Sequence, residues 1–304
     1  MELTIDIRRA TPEDYDGVRD MTSEIWQDRG GDYLTDYYLR WLEDEDDDHK
    51  RTFLAEAGDD VAGLVQAVML SPDEAWFQGM RVNPEYRRRG ISQRLTSACF
   101  DWARERGALV GRIMIFSWNV PALSVARSSG YDPVTEFRWA QPRPDADADG
   151  PFSVSADPTA AWRYWTGCDA RTHLRGLALS TTESWAMAEL TPGTLEYAAE
   201  ETAVFAVEGD DGLSGMAYRT REYDRPNDDG ESETWAEYGV GAWDDVDSAR
   251  SLFGTIARDA ASLDADRTRV LIPETVETVS DACYADAGVS EEPDFVLGVD
   301  LTVQ

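Results

Sequence analysis

The chain has 304 residues, enough for two ordinary domains, and its 42 % apolar content marks a folding sequence and not a disordered acidic one. Its 60 acidic residues against 28 basic ones leave a formal net charge of −32. This argues against a nucleic-acid partner, because polyanion affinity depends on Lys and Arg displacing counterions. No segment approaches the roughly 18 consecutive apolar residues of a membrane span.

In chain order, residues 3–8 alternate apolar and polar and predict a strand. Thr11-Pro12 opens a helix with Glu13 and Asp14 beside its positive end, and Val18, Met21, Ile25 and Trp26 follow at helical spacing. A second short helix is predicted over 33–42. Two apolar runs, 52–57 and 61–70, flank Gly58-Asp59-Asp60 and read as a hairpin. A strand over 75–82 ends at Asn83-Pro84, and a glycine-bearing loop leads into an amphipathic helix over 91–106. A buried strand over 109–116, a short helix over 119–129 stopped by Gly130, and a strand over 131–139 close the half. This order predicts an α/β fold, a mixed and mostly antiparallel sheet flanked by helices.

Residues 141–151 are rich in proline and aspartate without apolar periodicity and read as a linker. The expected domains are therefore 1–140 and 153–304, joined by 141–152. The second half repeats part of the order. It has a strand over 184–190, a helix over 192–201 after the cap Thr191, paired runs over 203–208 and 213–223, and a strand over 234–243. A helix over 246–263, a strand over 269–273, a helix over 274–287 and a strand over 295–303 follow. This similarity suggests a degenerate second copy of one fold.

The acids are spread along the chain, at 44–48, 145–149, 228–233 and 244–247, and Lys50 is the only lysine. Adaptation to molar salt explains this, since the Debye length at 1 M is about 3 Å and carboxylate repulsion is screened. Residues 1–9 lack the layout of a signal peptide, so a cytoplasmic location is expected. Cys99, Cys168, Cys283, His49 and His173 are scattered without metal-ligand spacing, so no metal site is expected.

The most informative stretch is Met80-Arg-Val-Asn-Pro-Glu-Tyr-Arg-Arg-Arg-Gly-Ile-Ser-Gln-Arg-Leu95. A strand ends, proline blocks its continuation, and a glycine loop opens directly into a helix. Backbone N–H groups from Arg88 to Ser92 then converge on the helix N-terminus, whose half-positive charge suits a phosphate. Gly90 lets a pyrophosphate approach, and Arg87, Arg88 and Arg89 add charge. The spacing resembles the acetyl-CoA loop of the GNAT superfamily of N-acetyltransferases, Arg/Gln-x-x-Gly-x-Gly/Ala, here Arg87, Gly90 and Ser92 with Ile91 between. Ser92 departs from Gly/Ala. Asn119-Val-Pro-Ala122 followed by Gly130-Tyr131 resembles the family's second motif.

The resemblance implies direct transfer of acetyl from acetyl-CoA to an amine in a ternary complex. It implies that the strand 78–82 splays from 109–116, leaving backbone groups near Met80 and Val82 for the pantetheine arm, with Asn119 and Ala122 also at the cofactor. Where many members carry a tyrosine as general acid, this chain has Ala126. Tyr131 either substitutes or packs in the core. Glu136, Asp73 and Glu74 are candidate bases acting through water. Gly30-Gly-Asp-Tyr33-Leu, Tyr37-Tyr38, Trp41-Leu and Trp76-Phe-Gln-Gly79-Met-Arg81-Val resemble the histidine N-acetyltransferase group, which also carries an extra C-terminal domain. Tyr33, Tyr37 and Trp41 share a helical face, either as a packing stripe or as a wall over an amino-acid side chain. Arg81 either anchors a substrate carboxylate or is solvated.

At the equivalent junction of the second half, Asp244, Asp245 and Asp247 occupy the helix N-terminus and would repel a pyrophosphate. That half is expected to complete the substrate cleft or to form a homodimer. The expected function is acetylation of a primary amine of a small metabolite, a free amino acid such as histidine. The alternatives are a protein N-terminal or lysine acetyltransferase and a non-catalytic acyl-CoA sensor.

Overall fold

The computed structural model describes residues 4–23, 25–26, 31–43, 45, 48–227 and 229–303. Leu3, Gly30, Asp44, Asp46, Asp47 and Asp228, used in the sequence reading, lie outside the described residues. Two compact units emerge. The first is Met1–Met114, Val120–Asp132 and Leu297–Gln304, and the second is Ile115–Asn119 and Pro133–Val296.

In the first unit, β1 (Asp6–Arg9), β2 (Lys50–Ala57), β3 (Asp60–Met69) and β4 (Glu74–Val82) form successive antiparallel pairs. β5 (Val110–Phe116) then joins β4 in parallel. A 3-10 turn, Pro12–Asp14, leads into α1 (Tyr15–Thr22). A carboxylate oxygen of Asp14 accepts from the Thr11 N–H at 2.8 Å while the Asp14 N–H bonds the Thr11 carbonyl, so the turn is satisfied from both sides. Val18 and Met21 of α1 and Leu34 and Tyr38 of α2 (Leu34–Glu43) bury one side chain row against Leu54 and Leu64. α3 (Ile91–Glu105) buries Ile91, Leu95, Cys99, Trp102 and Ala103 at helical spacing. α4 (Val120–Ser128) ends at Gly130, φ +93°, with the Tyr131 N–H on the Ala126 carbonyl at 3.2 Å. Residues of the chain's end complete this unit: the Leu301 N–H bonds the Leu109 carbonyl and the Arg104 Nε bonds the Leu301 carbonyl, both at 2.9 Å.

The second unit contains most of β6 (Asp132–Gln141), then β7 (Ser153–Ser155), α5 (Pro158–Gly167), α6 (Asp169–His173) and the small sheet of β8 (Leu177–Leu179) and β9 (Met187–Glu189). There follow α7 (Pro192–Glu201), β10 (Ala203–Gly209), β11 (Gly212–Pro226), β12 (Ser232–Trp243), α8 (Val246–Ser262), β13 (Arg267–Pro273), α9 (Val276–Tyr284), β14 (Gly288–Val289) and the start of β15 (Asp294–Asp300). Strands β7, β10, β11 and β12 pair antiparallel in that order, and β12 pairs with β13 in parallel. This repeats the pairing sequence of the first unit.

The stretch 141–152 is not a free linker. Gly150 and Gly254 permit backbone-on-backbone contact. A Cβ on Gly254 would sit 2.7 Å from the Asp149 carbonyl oxygen, and one on Gly150 would sit 2.9 Å from the Ser251 nitrogen. The Asp145 N–H bonds the Ala257 carbonyl at 3.1 Å, and Arg258 donates to the Ala148 carbonyl. The segment is thereby laid along α8 inside the second unit. α5, α6 and β8 are further elements that the sequence reading left unassigned.

Candidate functional site

The two edges of β4 behave differently. Its parallel ladder with β5 runs only from Glu74 to Trp76, against Val110 to Arg112. From Phe77 onward the β5-side edge carries no ladder, which is the splay the motif implies. On the other edge Leu64 pairs with Arg81 and Gln66 with Gln78, so Gly79 and Met80 bulge opposite Val65, with Gly79 at φ +67°.

β4 then stops at Asn83, whose Oδ1 accepts from the Glu85 N–H and whose Nδ2 donates to the Val61 carbonyl, both at 3.0 Å. After the 3-10 turn Pro84–Tyr86, two residues take left-handed backbone, Arg88 at φ +62° and Gly90 at φ +73°. Such conformations are strained for an arginine and persist where surroundings impose them. The first bond of α3 is donated by Arg94 to the Gly90 carbonyl at 3.1 Å, which leaves the N–H groups of Ile91, Ser92 and Gln93 ahead of the helical ladder. No side chain caps this end, and no acid lies in the first turn. A Cβ on Gly90 would meet only the Gln93 Oε1, at 3.7 Å, so the space before the helix is open. Gly63 of β3 seats the helix: a side chain there would lie 2.7 Å from the Arg81 carbonyl oxygen and 3.1 Å from the Ile91 Cγ2.

Arg87, Arg88 and Arg89 are exposed, and among the described residues none of them makes an ion pair. In a chain of net charge −32 this is an unusual place to leave three cations. The corresponding helix of the second unit is built the other way. Asp245 caps α8 by accepting from the Ser248 N–H at 2.7 Å, and Asp247 sits in its first turn. There the carboxylates already satisfy the helix dipole; at α3 nothing in the first unit's first turn does.

Residues 15–131 match the model of the acetyltransferase (GNAT) family. This segment is a GNAT acetyltransferase domain. The chain is similar over 98 % of its length to 96 % of a GCN5-related N-acetyltransferase from Sphaerobacter thermophilus, at 13 % identity and a TM-score of 0.61. It is similar over 97 % of its length to 99 % of a Thermoplasma acidophilum protein provisionally called an acetyltransferase, at 14 % identity and a TM-score of 0.58. At these identities the likeness extends the fold, and only the fold, over both units. No curated protein sequence matches the chain.

Around the GNAT loop, several expected site residues are placed differently from the sequence reading. Arg81 does not present a free fork. Its Nε and Nη2 grip both carboxylate oxygens of Asp32, at 2.5 and 2.9 Å, with both side chains buried. Its guanidinium lies 4.1 Å from the Trp26 ring centre and 5.4 Å from that of Tyr33. Asp73 immediately precedes β4 and Glu74 opens it, eight residues before Val82. Glu74 is moreover paired with Arg112. Tyr131 is 4 % exposed and lies edge-on to Phe100, with ring centres 5.5 Å apart. Burial pushes its phenol well above the usual range. The ring thus acts as a core aromatic beneath α3.

Tyr33 precedes α2 and meets Tyr37 edge-on at 6.1 Å. Tyr33 is 44 % exposed as a whole residue, whereas its hydroxyl end is turned in beside Arg81 and burial raises its pKa. Trp41, four residues after Tyr37, lies on Gly79, where a Cβ would sit 2.7 Å from its Cζ3. Glu136 belongs to the second unit, its carboxylate half-exposed and 3.9 Å from the His173 Nε2. Asn119 closes a turn by bonding its N–H to the Phe116 carbonyl at 2.9 Å, and Ala122 lies in the first turn of α4. Among the described residues no group of three His, Cys, Asp or Glu side chains could hold a metal ion. No helix among them is long and apolar enough to cross a membrane.

Asp32 was assigned no role from sequence. Its oxygen accepts from the Leu34 N–H at 3.1 Å, so its signal was that of an aspartate just before a helix. The partner 49 residues away carries no sequence signal.

Proposed function

We propose that the chain transfers acetyl from acetyl-CoA to the primary amine of a small metabolite, a free amino acid such as histidine, in the cytoplasm at molar salt. The observation that carries this reading is the uncapped, acid-free N-terminus of α3 behind Arg87, Arg88, Arg89 and Gly90, beside a strand whose β5-side edge is open. The N–H groups of Ile91 and Ser92 would bind the pyrophosphate, with the three arginines supplying charge at contact range. Backbone groups of Met80 and Val82 would align the pantetheine arm, and Ala122 would border it. Acetyl-CoA supplies an activated thioester.

Holding amine and thioester together can supply on the order of 7–11 kcal/mol of the barrier. The departing thiol, with a pKa of about 8.5, leaves as thiolate without an acid, so Ala126 is compatible with turnover. The amine is mostly protonated near neutral pH and must lose a proton before it attacks. The histidine N-acetyltransferase-like group remains the subgroup we favour, on the residues from Gly31 to Trp41 and Trp76 to Val82.

The test is thiol release from acetyl-CoA against a panel of free amino acids, other small amines and peptides in about 2–3 M KCl. Turnover with a free amino acid supports the reading. Binding without turnover would point to a sensor, and turnover on peptides alone to a protein acetyltransferase.

A further inference from the structure

We propose that Asp32 and Arg81 are positioning residues that hold Tyr33 and Tyr37 as a wall for an acceptor amine bearing a flat aromatic group. The inference rests on the acetyl-transfer reading and adds the class of acceptor. The segment carrying Tyr33 and Tyr37 touches β4 at two places, and both fall in or beside its bulge. Trp41 occupies the space that a side chain at Gly79 would fill, and Gly79 itself needs its left-handed backbone. Two residues further along β4, Arg81 grips Asp32 through two parallel bonds.

Asp32 also bonds the Leu34 N–H, so one carboxylate fixes both the entry of α2 and its attachment to the strand. The fork geometry makes this attachment directional, which a single point charge would not. The Arg81 guanidinium lies 5.4 Å from the Tyr33 ring centre, and Tyr33 as a residue is 44 % exposed. Tyr37 stands at 76° to it. Two aromatic rings fixed at nearly a right angle, at a place where the chain reaches the surface at Tyr33, offer a face and an edge to a third flat ring. An aliphatic amine gains much less from such a corner. With Arg81 engaged by Asp32, recognition on this side falls to the rings and not to a charge.

The test uses the full chain in about 2 M KCl with two probes, 2-phenylethylamine and n-butylamine, and measures kcat/KM for each together with Kd for acetyl-CoA. The wild type is expected to prefer 2-phenylethylamine at least tenfold. Asp32→Asn keeps the shape but loosens the grip, and is expected to lower that preference at least fivefold while Kd for acetyl-CoA stays within about twofold. Asp32→Asn with Arg81→Gln leaves no lone buried charge and serves if the single variant fails to fold. A purely structural role would reduce both amines in equal proportion. An unchanged preference in the folded variant, or a wild type that does not acetylate 2-phenylethylamine, overturns the proposal. Loss of acetyl-CoA binding by the wild type would instead strike the donor-loop reading, so the two failures are distinct.

Discussion

Gly90 can be tested with a pair of substitutions that separate backbone strain from charge. Its φ of +73° costs an L-residue about 1–2 kcal/mol, while the built Cβ meets nothing nearer than 3.7 Å. Gly90→Ala should therefore lower Tm by only a few degrees. Gly90→Glu carries the same strain and adds a negative charge in front of the amides of α3. At about 5 Å and an effective dielectric near 20, one unit charge on a phosphate is worth about 3 kcal/mol. Molar salt, with a Debye length of about 3 Å, reduces this to roughly half across a contact that largely excludes ions, or about tenfold in affinity. Titration calorimetry with acetyl-CoA in about 2 M KCl should show Glu binding at least tenfold more weakly than Ala, at closely similar Tm values. Equal affinity of the two variants would refute the assignment of this loop.

Gly79→Ala combines left-handed strain with a Cβ pressed against Trp41, and should destabilise the first unit by about 2–5 kcal/mol, seen as a Tm loss of roughly 5–15 °C; a loss below 2 °C would contradict it. Asp294 is held by the Trp139 indole N–H at 3.1 Å, and burial pushes its carboxyl up to about 6. The folded state then binds the proton more tightly than the unfolded chain, so this group's contribution falls as pH rises from about 4 through 6, by about 3 kcal/mol in total. Asp294→Asn should flatten that slope and raise Tm at pH 7, and an unchanged Tm–pH profile between 4 and 7 would exclude it. The acid-rich surface should make Tm climb between about 0.1 M and 3 M KCl, and a flat response by circular dichroism would rule out charge screening as its role.

What the sequence made legible was local. Pro84, Gly90 and the amphipathic row Ile91, Leu95, Cys99 lie within one short stretch, and their strand–loop–helix reading depends on nearest-neighbour chemistry alone. The aspartates before α8 were readable for the same reason, and Asp245 does cap that helix. Arg81 was misread because its partner lies 49 residues away, on the far side of two strands in the chain. Proline and aspartate content pointed to a linker at 141–152, but composition cannot register that Gly150 and Gly254 allow two backbones to touch. Tyr131 was left between core and catalysis, and its burial against Phe100 places it in the core.

The return of Leu297–Gln304 to the first unit has a consequence for biosynthesis. That unit cannot be completed when its own stretch, up to Asp132, leaves the ribosome. It must wait while about 160 residues of the second unit are translated, roughly 10–30 s at 5–20 residues per second. During that interval the Leu109 carbonyl, just before β5, lacks its bond from Leu301, and Arg104 lacks the Leu301 carbonyl. A nascent chain stalled before residue 297 should be cleaved by protease within the acetyltransferase segment as well as in the unfinished remainder.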